Sequence, residues 1–254
     1  MHDVALATQA LLLPPLRAAS ILQPSDEKVL RPAYCLLPTA YCLLPTAYCL
    51  HLSPLTPLPL PSAIIFDCDG TLADTMPVHY EAWSATLARY PGLELSEDRF
   101  YVLGGWPTLN IAELLKKETG IDFDPVKLSR EKEIEFEQRL DHVQPIAPVV
   151  AVVQQHRGKL PIAVATGGIR RICETILKHI GLIGWFDAMV CAEEVAHHKP
   201  APDIFLEAAR RLGIPANQCL VYEDTDPGIE AARRANMQWI DVRTFYTPRR
   251  ISRQ

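Results

Sequence analysis

The chain has 254 residues, a formal net charge of −5 and 48% hydrophobic residues, enough for one large domain or one domain with a small insert. This mild acidity, with no basic stripe to displace counterions, argues against a nucleic-acid partner. Seven cysteines, at 35, 42, 49, 68, 173, 191 and 219, form no CxxC pair; they read as free thiols in a reducing cytoplasm rather than as a zinc site or a disulfide framework.

Residues 32–50 repeat a heptad whose full form is Pro38-Thr39-Ala40-Tyr41-Cys42-Leu43-Leu44. Seven is the coiled-coil period, but an interior proline costs a helix about 3 kcal/mol. Further prolines at 54, 57, 59 and 61 favour an extended course. The apolar runs between prolines fall short of the ~20 residues that span a membrane. The start, Met1-His2-Asp3-Val4, has no Lys or Arg before its apolar stretch and makes a poor secretory signal. Residues 1–62 are therefore expected to form a disordered, Pro-rich extension outside the folded domain of a cytoplasmic protein, with no membrane partner.

From Ala63 strands and helices alternate. Ala63-Ile64-Ile65-Phe66 reads as a buried strand that runs into Asp67-Cys68-Asp69-Gly70-Thr71. The next seventy residues carry helical patterns at 78–90, from 110 onward and at 128–140, with no convincing strand. After them come a helix over 148–156, a strand over 161–165, a helix over 169–180, a short strand over 188–190, a helix over 202–212, a strand over 219–222, a helix over 228–235 and a strand over 239–242. Such alternation predicts an α/β fold with a parallel sheet covered on both faces. The expected core is 63–76 with 145–243, the helical insert 77–144 and a solvated tail 244–254 that carries Arg249, Arg250 and Arg253.

Right-handed crossovers gather the strand C-termini on one edge, where ligands bind. That edge carries Asp67 and Asp69, Thr166 with Gly167 and Gly168, and Glu223 with Asp224; Lys199 joins from a loop. The set suits phosphoryl transfer to a carboxylate. An aspartate nucleophile splits one hard step into two. Positive charge from Lys199 and from Mg²⁺ on carboxylate oxygens offsets the repulsion between phosphate and carboxylate. The Thr166 hydroxyl and the glycine amides at a helix start offer donors to an anion, and Asp69 can give a proton to the leaving oxygen and later take one from water.

In these motifs the chain resembles the haloacid dehalogenase superfamily, in its phosphatase branch with a helical cap. Residues 67–75, Asp67-Cys68-Asp69-Gly70-Thr71-Leu72-Ala73-Asp74-Thr75, look like that family's first motif, Thr166 its second, Lys199-Pro200-Ala201-Pro202-Asp203 its third and Glu223-Asp224 its fourth. The resemblance implies a Rossmann-like parallel-sheet core with a small inserted α-helical cap domain. It implies Asp67 as nucleophile, Asp69 as general acid/base, Thr166 and Lys199 as phosphate-side catalytic residues, and Mg²⁺ on Asp67, the Asp69 carbonyl and Asp224. Glu223 would stand behind the metal or bind it through water. Asp69 argues against dehalogenases and phosphonatases, which lack that carboxylate.

Residues 195–203 and Gly104-Gly105-Trp106-Pro107-Thr108 are similar to small sugar phosphatases of the superfamily. A β-phosphoglucomutase-type mutase is the alternative, but such mutases carry a cap arginine for a second phosphate where this chain reads Trp106-Pro107-Thr108-Leu109-Asn110. A non-catalytic phosphate-binding or interaction module is the remaining reading. The expected activity is Mg²⁺-dependent hydrolysis of small phosphorylated metabolites, most simply sugar phosphates, by a monomer.

Other residues divide between roles. His79, near the hinge at Thr75, either positions substrate or Asp69 or is a solvated helix residue. Lys132 resembles a substrate-contacting cap lysine, but its charged surroundings favour a surface ion pair. Gly167, Trp106 and Asn110 are candidates for the pocket wall. His197 and His198 read as an exposed loop pair, Trp83, Trp185 and Trp239 as packing, and Cys68 as facing away from the site. Thr75 and the Gln144-Pro145 region are the expected hinges of the cap.

Overall fold

The computed structural model describes residues 60–251, within one compact unit, Thr56–Gln254. The proline repeat, with Cys35, Cys42 and Cys49, and Arg253 at the other end lie outside the described residues. Of the expected extension 1–62, Ser62 already belongs to the fold: its amide donates to the Gln218 carbonyl at 2.8 Å and its hydroxyl to the Gln218 side chain at 3.0 Å.

Five strands form a parallel sheet: β1 (Ala63–Phe66), β4 (Ile162–Ala165), β5 (Ala188–Val190), β6 (Cys219–Glu223) and β7 (Gln238–Asp241), in the order β5-β4-β1-β6-β7. β1 is central and pairs in parallel with β4 on one side and β6 on the other. The chain builds outward first through β4 and β5, then through β6 and β7. The winding direction thus reverses at β1, and a crevice opens beyond the C-terminal end of that strand.

Alternation along the strands sends side chains to two separate cores. Ile64, Phe66, Ile162 and Val164 face α5 (Ala147–His156) and α6 (Arg170–His179). Ala63, Ile65, Ala163, Ala165 and Val221 face α7 (Asp203–Leu212) and α8 (Asp226–Arg234). The alanines on the second face, with Ala208, Ala209, Ala231 and Ala232 on the helices, let helix and sheet approach closely. Trp239, expected as packing, is 42% exposed because β7 is an edge strand; Trp83 is buried and Trp185 packs half-buried beneath the Arg157 guanidinium.

Between β1 and α5 the chain forms four helices, α1 (Met76–Leu87), α2 (Glu97–Val102), α3 (Thr108–Thr119) and α4 (Pro125–Glu137). They share their own apolar core, which includes Trp83, Leu87, Phe100, Ile111, Leu115 and Leu128. α1 starts with a proline in its first turn, and Gly120 ends α3 in the left-handed region that favours glycine. α2 is too short to show a period in the sequence, although Ser96 caps it by accepting from the Arg99 amide. The two passages between cap and core run side by side as a two-stranded antiparallel ribbon, β2 (Ala73–Asp74) with β3 (Gln144–Pro145).

The C-terminal segment is not a free solvated tail. Tyr246 donates its hydroxyl to Asp74 at 2.5 Å, the Arg250 guanidinium stacks 3.5 Å over the Tyr101 ring and reaches Asp98 at 3.3 Å, and the Ile251 amide donates to Glu97 at 2.8 Å. Among the described residues no helix is long and apolar enough to cross a membrane, and Cys68, Cys173, Cys191 and Cys219 are free and buried.

Candidate active site

Asp67 leaves the end of β1, Thr166 the end of β4, and Glu223 and Asp224 close β6. Three adjacent parallel strands thus deliver the motif residues to one edge. The turn after Asp69 is tight: Gly70 has φ +83°, and a Cβ there would sit 2.2 Å from an Asp224 oxygen, so glycine is needed for both conformation and space. Thr71 donates to Asp224 at 2.9 Å.

Lys199 reaches in from the loop before α7. It is buried and donates to Asp67 at 2.6 Å and to Glu223 at 2.7 Å. Burial alone would pull its ammonium down, but Asp67 and Glu223 more than offset this and raise it. The second Glu223 oxygen accepts from the Asp224 amide and from the amide and hydroxyl of Thr225. Both Glu223 oxygens are therefore engaged, and its contacts fix Lys199 and the start of α8.

Burial holds the Asp67 carboxyl well above the usual carboxylate range; Glu223, Asp224 and Asp69 add to that push, and Lys199 opposes it. Asp224 is likewise raised, by burial and by Glu223, against the Thr71 hydrogen bond and Lys199. Oxygens of Asp67, Glu223 and Asp224 all lie within 4.8 Å of one another. A buried, all-oxygen set with more carboxylates than its one ammonium can balance fits a hard divalent cation such as Mg²⁺. With both Glu223 oxygens engaged, Asp67 and Asp224 are the side chains that would hold it.

Asp69 points away from that set, toward the cap. One oxygen accepts from Thr75 at 2.7 Å and His79 at 2.9 Å, the other from Thr166 at 3.3 Å. Burial would raise its carboxyl, but the contact with His79, with the Thr75 bond and Lys132, brings it down to about 2. Lys132 Nζ lies 2.7 Å from His79 Nδ1. An ammonium can only donate, so His79 accepts at Nδ1 and donates from Nε2 to Asp69. The ring stacks on Phe136, centroids 3.9 Å apart.

Lys132 is thus not a surface ion pair: it is 2% exposed, and its ammonium also meets Glu133 at 3.3 Å. The reason lies in the helix period. Leu128, Lys132 and Phe136 recur every fourth residue and share the inward face of α4, whereas Ile134 is 51% exposed. His79 is buried rather than solvated, on the inward face of α1.

Asp67, Asp69, His79, Lys132, Glu133 and Thr166 line a cavity between cap and core. Trp106 and Gly167 border it; Asn110 does not. Thr108 and Ile111 of α3 take that place, because Asn110 lies about 200° around the helix from Thr108. Thr108 stands out in the sequence only as part of the Gly104-Gly105-Trp106-Pro107-Thr108 stretch and Glu133 not at all; the signal for Glu133 is its position beside an inward lysine. The cap meets the core closely here: a Cβ on Gly167 would lie 2.3 Å from the Gly105 carbonyl oxygen. His197 is exposed and pairs with Asp203 at 2.9 Å, while His198 is half-buried.

A family model described as haloacid dehalogenase-like hydrolase matches residues 61–236. The fructose-1-phosphate phosphatase YqaB of Escherichia coli (strain K12) is 46% identical over 183 residues, 72% of this chain and 96% of that protein. A phosphorylated carbohydrates phosphatase of Thermotoga maritima is 30% identical over 182 residues, 70% of this chain and 83% of that protein. Among solved structures, CbbY of Rhodobacter sphaeroides in complex with phosphate has a TM-score of 0.66 at 23% identity, covering 72% of this chain and 86% of that one, a likeness of fold.

Proposed function

The chain belongs to the haloacid dehalogenase-like hydrolases, and from that premise we propose that it releases phosphate from small phosphorylated sugars, with Asp67 as the attacking group. The observation that carries this reading is the buried contact of Asp67 with Lys199, at 2.6 Å, on the strand end that also bears Asp69. The extent of the likeness to YqaB supports sugar monoesters as the substrate class.

Mg²⁺ held by Asp67 and Asp224, with the Asp69 main-chain carbonyl that the resemblance adds, would offset the charge on the phosphoryl oxygens. Lys199 holds one Asp67 oxygen and leaves the other to attack phosphorus. The Thr166 hydroxyl and the loop through Gly167 stand beside it as donors to the phosphoryl group. An acyl-phosphate forms on Asp67 as the ester bond breaks, and the leaving oxygen takes the proton that Asp69 carries once the anionic phosphoryl group beside it favours its protonated form. In the second step Asp69 accepts a proton from water as that water attacks the acyl-phosphate. The hydrogen bonds from Thr75 and His79 suit Asp69 to this second task, because they favour its ionised form. The cap keeps bulk water out and reopens for product.

The mutase reading requires a cap cation free to hold a second phosphate. Lys132 is the cap lysine that lines the cavity, and it is committed to His79 and Glu133. Hydrolysis is therefore the better reading. It is tested by phosphate release from a panel of sugar phosphates with and without Mg²⁺. The wild type is expected to turn over with Mg²⁺ and to stop on chelation, and Asp67→Asn to lose at least about 10³-fold in kcat while keeping its fold by circular dichroism. Continued turnover by that variant rules out Asp67 as nucleophile; conversion of β-glucose 1-phosphate to glucose 6-phosphate without net release selects the mutase.

A further inference from the structure

We propose that Glu133 reads the sugar end of the substrate: its free oxygen accepts hydrogen bonds from the hydroxyls of an uncharged polyol and repels a second anionic group. The inference rests on the phosphatase reading above and narrows the esters that the site takes.

Glu133 lies on the inward face of α4 and is 8% exposed. Its Oε1 accepts from the Thr108 hydroxyl at 2.5 Å and from Lys132 at 3.3 Å. Its Oε2 is buried and has no partner. Burial would raise the carboxyl, but Lys132, His79 and the Thr108 hydrogen bond bring it below the usual glutamate range. It is therefore an acceptor that cannot donate. A buried acceptor without a donor is costly, and the cost is relieved by a ligand hydroxyl that takes the place of a water there.

The same cavity is lined by Asp67, Asp69 and Thr166 on the core side and by Thr108, Lys132 and Glu133 on the cap side. A substrate with its phosphoryl group at Asp67 presents its other end to Glu133. A carbinol hydroxyl there completes the coordination of Oε2. A carboxylate or a second phosphate would meet a like charge, because Lys132 is already paired with Glu133 and with the His79–Asp69 chain. The groove that continues past Glu133 is lined by Arg130 and Arg171; Arg171 is paired with Glu137. A preference for doubly anionic esters would place substrate against Arg130 instead.

The test compares kcat/KM for fructose 1-phosphate, fructose 1,6-bisphosphate and phenyl phosphate, which has no sugar hydroxyls, in the wild type, Glu133→Gln and Glu133→Asp. The wild type is expected to prefer fructose 1-phosphate to the bisphosphate. In Glu133→Gln the ratio of fructose 1-phosphate to phenyl phosphate falls about 10- to 100-fold, as for the loss of a hydrogen bond to a charged group, and the bisphosphate gains on the monophosphate. Glu133→Asp keeps the charge but withdraws the oxygen, so it lowers the first ratio without raising the second. Equal losses on all three substrates in both variants, ratios that stay put, or a wild type that prefers the bisphosphate each overturn the proposal. A wild type that splits phenyl phosphate with unmoved ratios in the variants leaves the phosphatase reading intact; release from none of the three esters overturns both.

Discussion

Asp69 receives hydrogen bonds from Thr75, His79 and Thr166, and His79 is in turn steadied by Lys132. A cap lysine thus acts on a core carboxylate through an imidazole, and the state of Asp69 depends on cap position. Removing the ring contact relaxes the downward pull, so His79→Leu, which has no donor, raises the Asp69 carboxyl from about 2 toward its ordinary value. The base role proposed for Asp69 requires the ionised form, and the acid limb of the breakdown of the proposed phosphorylated enzyme should therefore move upward by about one pH unit or more. Single-turnover dephosphorylation across pH checks this, and an unmoved limb removes Asp69 as the base. The strand-end residues Asp67, Thr166 and Asp224 were legible because parallel-sheet topology alone sends strand C-termini to one edge. His79 and Lys132 were legible only in part. Their charge suggested solvent, and the inward phase of Leu128, Lys132 and Phe136 outweighed it. Glu133 was hidden because only its neighbour Lys132 points it inward, and that lysine itself reads as solvated.

At the scale of elements, the crossing between cap and core is a paired ribbon, and the first substrate-side contact between the two is glycine against glycine. Gly167→Ala puts a methyl group where the Gly105 carbonyl oxygen stands, at 2.3 Å. The cap must stand off, and kcat/KM should fall about 10- to 100-fold, since misplacement by about 1 Å costs roughly that much. Steady-state kinetics paired with a melting curve checks this; a wild-type rate with normal stability would show that closure does not need the contact. The long elements were readable because each carried a full run of its own periodicity. α2 and the β2–β3 ribbon were not: six residues and two residues hold no period, and the ribbon exists only because distant segments meet. The edge position of β7, which exposes Trp239, is likewise a property of sheet order and not of the strand's own residues.

Over the whole molecule, charge balance at the sheet edge couples stability to pH and to cation. Asp67 and Asp224 carry raised folded values, so the folded protein holds more protons than the unfolded chain above their ordinary range. Stability without cation therefore falls as pH rises through that window. A divalent cation on these carboxylates removes the penalty. Mg²⁺ should raise the Tm at pH 7, with chelator as the control, by an amount that follows ligand concentration, about 2.7 kcal/mol at a hundredfold excess over Kd. Scanning fluorimetry checks it, and a Tm indifferent to Mg²⁺ at millimolar concentration argues against the assigned ligands.

The clasp of the C-terminal segment on α2 and on Asp74 has its own consequence. The Ile251 amide donates a hydrogen bond to Glu97, a residue of the cap, although Ile251 follows the last strand of the core. Deuterium can enter that amide only when the segment lets go. Its uptake is then a local clock for cap release, and a fluoroaluminate complex that mimics the transferring phosphoryl group should slow it, while core-strand amides such as that of Val164 exchange on the far slower timescale of global unfolding.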